Sequence, residues 1–329
     1  MRLIALCSGM MVLVATSVVP AIGDEPKAAP ARVEKRGEAI VACGQKIEVG
    51  TPVILWTDPG GYNAYGPKIP KPPAPDKKAR SIGFGQRRHN LSEAQLDEIK
   101  ANGWTLPLLR EAVDQFVIHF DACGTSRKCF EVLHEERDLS VHFMLDLDGT
   151  IYQTLDLKEA AYHATKANGR SIGIEIANIG TFQPSEAKSP RVTRWYQPDA
   201  EGRTRITLPP SATVPTHPSG SEPLRPSRDQ PVEGNVQGMD LAMYDLTPQQ
   251  YDALIKLSAG LCRTFPKIAC DAPRTDSGQT TTKIIPTDDY PRYQGILGHY
   301  HVQLNKNDPG PAFQWDRLIE GARAQLSAK

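Results

Sequence analysis

Charge of one sign is what this sequence lacks: 38 lysines and arginines balance 38 aspartates and glutamates over 329 residues. Zero net charge leaves no electrostatic reason to expect nucleic acid or an acidic membrane surface as a partner. No internal repeat is visible. Long hydrophobic runs are missing too, with one exception. Arg2 precedes an apolar stretch from Leu3 to Val19, and small residues follow at Ala21 and Gly23. That pattern predicts an export signal over residues 1–23 with a cut before Asp24, or else an uncleaved N-terminal anchor. Cys7 lies too early, and follows Leu6 rather than a small residue, for a lipoprotein signal. The expected location is therefore the periplasm or beyond.

Cysteine is scarce, and export gives the few a meaning. Cys43, Cys123, Cys129, Cys262 and Cys270 would remain after cleavage. In an oxidising space the close pairs Cys123 with Cys129 and Cys262 with Cys270 read as local disulfides, with Cys43 left over. Proline, by contrast, is abundant at 28 residues. Residues 24–90 hold many prolines and few periodic apolar stretches, and the run from Pro67 to Pro75 reads as a linker or extended arm. A second proline-rich stretch, about 181–236, reads as an insertion or loop within the remaining domain, residues 91–329.

Between these stretches the pattern is dense. Ser92 and Gln95 form a capping box at the start of a short helix. Gln115 to Phe120 is a short apolar run, a predicted buried strand carrying His119 near its end. Ser126 to Glu136 reads as helical. Val141 to Asp146 and Thr150 to Thr154 read as strands around the turn signal Asp148-Gly149. From Ser171 to Ala177 three isoleucines alternate with Gly173 and Glu175, which places Glu175 on the face opposite the isoleucines. Thr247-Pro248-Gln249-Gln250 is a strong helix start, and Trp315, Leu318, Ile319, Ala322 and Leu326 follow helical spacing. Alternating strands and helices predict one α/β domain, a mixed central β-sheet flanked by helices.

Three residues could hold a metal. His119 ends a buried strand, His299 follows Ile296-Leu297-Gly298, and Asp308 precedes the rigid Pro309-Gly310. Two imidazoles and a carboxylate make a catalytic zinc shell that leaves one position open for water. Spacing alone does not assemble these three, and His301 is a rival to His299.

The ordered motifs carry a resemblance. Phe116-Val117-Ile118-His119-Phe120, Val141-His142-Phe143, Asp148-Gly149-Thr150-Ile151, Ala161-Tyr162-His163, Ser171-Ile172-Gly173-Ile174-Glu175, Gly298-His299 and Lys306-Asn307-Asp308-Pro309-Gly310 resemble, in order, the type 2 N-acetylmuramoyl-L-alanine amidases and the related peptidoglycan recognition proteins. The likeness runs over roughly residues 110–320 apart from the proline-rich stretch. It implies a zinc groove at one end of the sheet, with His119, His299 and Asp308 as ligands. Glu175 would be the general base and Lys306 the oxyanion partner. His163, with Tyr162 where the family usually has Trp, would contact substrate or support the metal. Cys123 and Cys129 resemble the short disulfide loop of the recognition proteins, with a cysteine metal ligand as the rival reading. The implied reaction is hydrolysis of the amide joining N-acetylmuramic acid to L-alanine in peptidoglycan or its fragments. Two alternatives stand beside it: a module that binds peptidoglycan without cutting it, and a zinc hydrolase of another cell-wall amide.

Overall fold

The computed structural model describes residues 37–66, 83–208 and 223–328. The export signal and the run from Pro67 to Pro75 lie outside the described residues. At the centre is a six-stranded sheet of β1 (Val53–Leu55), β2 (Gln115–Phe120), β3 (Phe143–Leu145), β4 (Ile151–Gln153), β5 (Ser171–Ile176) and β6 (Gly295–Gly298). Its spatial order is β6-β2-β5-β3-β4-β1. β6, β2, β5 and β3 run parallel to their neighbours in that series, whereas β3 and β4 pair antiparallel across the Asp148-Gly149 turn. The predicted mixed sheet with flanking helices is the observed architecture.

The alternation of side chains along the strands assigns the two faces. Phe116 and Ile118 of β2 and Ile172, Ile174 and Ile176 of β5 enter the main core. That core also holds Tyr251, Leu254, Leu257 and Leu261 of the helix Pro248–Thr264, and Leu318 and Ile319 of the helix Trp315–Ser327. Burying apolar side chains of this size contributes roughly 1.5–3 kcal/mol each. The two helices pack closely at Gly321, where a Cβ would lie 2.7 Å from Ile255 Cδ1. Val117, Met144 and Tyr152 belong to separate apolar clusters, away from the main core. His119, Gly173 and Glu175 follow the same alternation, so they too turn away from the long helices. Both capping boxes are present, Ser92 with Gln95 and Thr247 with Gln250.

Three expectations are corrected here. Residues 37–66 are not an arm: Ala39–Ala42 and Gln45–Glu48 form a hairpin, and Val53–Leu55 is an edge strand of the sheet. Ile40, Val41, Ala42, Val49, Val53 and Leu55 are buried in the main core. Their apolar runs span only three or four residues, too short for periodicity to reveal them among the prolines. The second proline-rich stretch is also ordered where it is described. Phe182, Val192, Trp195, Tyr196 and Ile206 make their own buried cluster. Within and just beyond it, Tyr196–Pro198 pairs with Thr204–Ile206, and Val232–Val236 with Met239–Met243. Finally, all five described cysteines are free thiols. Cys123 and Cys129 are neighbours, as are Cys262 and Cys270, but no disulfide joins either pair. Among the described residues no helix is long and apolar enough to cross a membrane.

A buried ion pair fixes the opposite end of the parallel strands. Arg170, just before β5, donates from Nε to Asp114 Oδ1 (2.7 Å), just before β2, and from Nη1 to the carbonyl of Pro291 (3.0 Å). His89 Nε2 lies 3.1 Å from the second Asp114 oxygen. Burial would raise the Asp114 carboxyl, but the hydrogen bonds from His89 and Arg170 outweigh it and hold the group below its ordinary value. Its stabilising contribution is therefore present above about pH 4 and is lost as pH falls through the lowered folded value. Arg170→Leu is expected to cost roughly 3–5 kcal/mol at neutral pH by removing the guanidinium partner of a buried carboxylate, which keeps only His89. Denaturant unfolding should show that deficit shrinking as pH is lowered, because without Arg170 burial raises the Asp114 carboxyl and lets it take up a proton.

Candidate metal centre

The strand register brings the candidate residues together. His119 and Glu175 are register partners on adjacent parallel strands, and Gly298 of β6 pairs with Ile118 on the other side of β2. His299 leaves β6 as the first residue of a helical turn, His299–Val302. His119, Glu175 and His299 thus cluster at the carboxyl ends of three neighbouring parallel strands, the common position for ligands in such sheets. The chain then returns: Tyr300 N–H donates to the Asp308 carbonyl at 3.1 Å. Gly298 permits this approach, since a Cβ there would lie 2.6 Å from Pro309 Cδ.

Three donor atoms converge. His119 Nδ1 lies 2.9 Å from His299 Nδ1 and 2.8 Å from Asp308 Oδ2, and His299 Nδ1 lies 3.0 Å from the same oxygen. All three residues are buried. The outer nitrogens of both rings are already engaged. His299 Nε2 sits 2.6 Å from Gln303 Oε1, and His119 Nε2 sits 2.9 Å from His163 Nδ1. Gln303 Oε1 can only accept, so His299 Nε2 must carry the proton. In the neutral ring Nδ1 then presents a bare lone pair to a carboxylate oxygen. Lone pairs aimed at one point are repulsive unless a cation lies among them. The donor set suits a tetrahedral divalent ion bound at ~2.0–2.2 Å, whose ligand atoms would be roughly 3.4 Å apart after slight expansion.

Electrostatics favour deprotonated donors. Burial, then the neighbouring His299, pulls His119 down to about 4. For Asp308 burial works the other way, but the adjacent imidazoles of His299 and His119 hold its carboxyl below the usual range. Outer partners fix the ring orientations, as metal sites require. His163 Nε2 lies 3.1 Å from Ser171 Oγ, and its ring rests on Gly173, where a Cβ would come within 2.6 Å of it. The sequence left His163 as a substrate or supporting contact; the structure places its Nδ1 against His119 and its side chain on the wall of the adjoining groove.

The metal cluster opens into a groove of about 600 Å³, which Glu175, Lys306, Tyr162 and His163 also line. Burial pushes the Glu175 carboxyl well above its ordinary value, reinforced by Asp308 and Asp121 and opposed by Lys306. The structure therefore brings together every residue singled out from the sequence. His301 is not a ligand: its Nδ1 accepts from Gly298 N–H and its Nε2 donates to the Thr281 carbonyl. His142 is likewise committed, accepting from Gly173 N–H and donating to the Glu159 carbonyl. Cys123 and Cys129 line the groove without joining the metal cluster. Sequence reasoning missed Gln303, Ser171 and Asp121, whose Oδ1 accepts from the backbone of Cys123, Gly124 and Asn178. For Gln303 a signal existed: it lies four residues after His299, on the same helical face.

Residues 109–224 match the family model of N-acetylmuramoyl-L-alanine amidase, Amidase_2. That segment of the chain is similar to this family. His119, Tyr162, His163 and Glu175 fall inside the matched residues, whereas His299, Lys306 and Asp308 fall beyond them. Among solved structures, one similar chain is the amidase AmiD from E. coli in complex with anhydro-N-acetylmuramic acid-L-Ala-D-gamma-Glu-L-Lys. It is 18% identical over 64% of this chain and 57% of that one, with a TM-score of 0.35. An AmpD derivative is 15% identical over 79% and 96% (TM-score 0.32), and the endolysin LysCS from Clostridium intestinale is 19% identical over 67% and 88% (TM-score 0.32). Likeness this low carries no weight for fold or activity, and the chain spans little more than half the length of AmiD. No curated protein matches the chain.

At this candidate centre the outer partners should matter for the metal. Gln303→Ala is expected to weaken divalent-cation affinity by roughly 10–100-fold. Competition against a chromophoric chelator measures this; an unchanged affinity would remove Gln303 from that role.

Proposed function

We propose that the chain is an exported, zinc-dependent amidase that hydrolyses the bond between the lactyl group of N-acetylmuramic acid and L-alanine in peptidoglycan or released muropeptides. The observation that carries this reading is the convergence of His119, His299 and Asp308 donors within 3.0 Å of one another beside Glu175. The amidase family match over residues 109–224 supplies the substrate class, and the N-terminal apolar segment supplies the export. Zinc, rather than another divalent ion, is favoured by two imidazoles with one carboxylate in a tight shell.

When bound, the zinc supplies Lewis acidity, polarising the amide carbonyl and bringing the pKa of water towards ~7. The chain's own residues manage the protons. Glu175 takes a proton from the attacking water as oxygen adds to the carbonyl carbon. Burial raises its carboxyl, which strengthens it as the base that takes this proton. The C–N bond then breaks, and that proton passes to the departing nitrogen of L-alanine, leaving a lactyl carboxylate and a free amine. Lys306, on the rim of the same groove, offers its ammonium to the oxyanion that forms between these steps. Tyr162 presents an aromatic wall to the substrate. His163 and Gln303 keep the imidazoles oriented.

The test is digestion of purified peptidoglycan by the full chain, with mass spectrometry of the soluble products. Free stem peptides beginning at L-alanine are expected, lost with a chelator and restored by zinc. Glu175→Ala should lower the rate about 10²–10⁴-fold, the usual contribution of a general base. A protein that holds zinc and the cell wall but releases no such peptide would refute the amidase reading in favour of a binding module. Products cut elsewhere in the peptide would point to another cell-wall amide.

A further inference from the structure

The strands Val232–Val236 and Met239–Met243, at the end of the proline-rich stretch, form a hairpin whose tip is Gln237-Gly238. Both tip residues have positive φ, 55° at Gln237 and 82° at Gly238. Such a turn favours Asn, Asp or Gly at its first position. A glutamine held there is unusual, and strained backbone of this kind points toward function. Its side chain shows why. Gln237 Nε2 donates to the carbonyl of Tyr300 (2.6 Å) and to that of Gln303 (3.2 Å), while Oε1 accepts from Ile284 N–H (3.1 Å). The backbone of Gln237 adds a bond to the Thr282 carbonyl. The glutamine thus grips the turn that begins with His299 and ends at Gln303, the residue that orients the His299 ring.

The same hairpin supports the other ligand-bearing segment. A Cβ on Gly310 would overlap Met243 Sδ, and a Cβ on Gly234 would lie 2.9 Å from Pro311 Cβ. Asn307 Nδ2 donates to Thr181 Oγ1, at the start of the stretch (3.0 Å). Two of the three metal donors, His299 and Asp308, therefore sit on segments packed against this hairpin and its flank. Neither segment is tied to β2, which carries His119, by a strand pairing of its own beyond Gly298.

We propose that the hairpin is a brace for the metal centre, and that Gln237 is a positioning residue that sets His299 through the backbone of Tyr300 and Gln303. The proposal rests on the metal reading given above. It assigns the proline-rich stretch a role in holding the ion, distinct from any contact with substrate.

The test compares zinc release from the full chain. Zinc-loaded protein is mixed with a chromophoric chelator, and the melting temperature of each metal-free variant is measured in parallel. Gln237→Ala is expected to release zinc on the order of tenfold faster than the unaltered chain, the lower end for an outer partner of a metal site. Gln237→Glu keeps the shape but loses both donors, so it should release zinc at least as fast as the alanine variant. Asp240→Ala removes only the exposed bond from Asn235 within the same hairpin (2.8 Å) and should behave like the unaltered chain. If Gln237→Ala does not fold, Gln237→Asn, one methylene too short to reach both carbonyls, takes its place. Zinc release by the Gln237 variants at the unaltered rate would overturn the brace. So would equally fast release from Asp240→Ala, which would mark a general loss of hairpin stability. An unaltered chain that takes up no zinc would instead sink the metal reading, and this inference with it.

Discussion

The register of β2 between β6 and β5 is the constraint on which the rest of this molecule depends. His119 faces Glu175 across one strand gap, and Ile118 faces Gly298 across the other. A slip of one residue in either pairing would turn His119 into the core beneath the long helices and bring Ile118 or Phe120 to the place where the donor atoms converge. Apolar side chains on the core face of β2 and β5 enforce that register, because each slip would move an imidazole or carboxylate into the main core. Burial of ordinary isoleucines thus decides where the chemistry stands. At the opposite end, Arg170 and Asp114 lock the same two strands together.

Around that constraint the site is built outward in layers. Two imidazoles and a carboxylate aim lone pairs at one point, a repulsive arrangement that the fold tolerates because each ring is held from behind. His163 and Ser171 hold one ring, and Gln303 holds the other. Gln303 is held in turn through its own carbonyl by Gln237. Each step replaces freedom of a side chain with a hydrogen bond to something more rigid. The groove beyond carries groups of mixed sign, Glu175, Asp121 and Lys306, which suits a reaction that moves a proton and develops a transient negative charge.

Much was legible in the chain itself. The helix starts at Ser92 and Thr247, the turn at Asp148-Gly149, and the strand that puts Glu175 opposite three isoleucines follow from local patterns with short-range physical causes. The residue types that make a metal shell were visible too, once ordered motifs placed them. Hidden were the strands of residues 39–55 and the inserted hairpin. Three- to five-residue strands among prolines and polar residues have no periodicity to detect, and only their burial against other segments makes them strands.

The sequence by itself determined which elements form and which side chains could carry chemistry, because those depend on spacing within a few residues. Only the tertiary structure decided the centre. His119 and His299 are 180 positions apart and His119 and Asp308 are 189 apart, and no local rule links them. Likewise, nothing near Gln237 in the chain says that its amide will reach the carbonyls of Tyr300 and Gln303. Hydrogen bonds between distant segments leave no trace in spacing, since they depend on where the packed sheet and its hairpin bring backbone groups into reach.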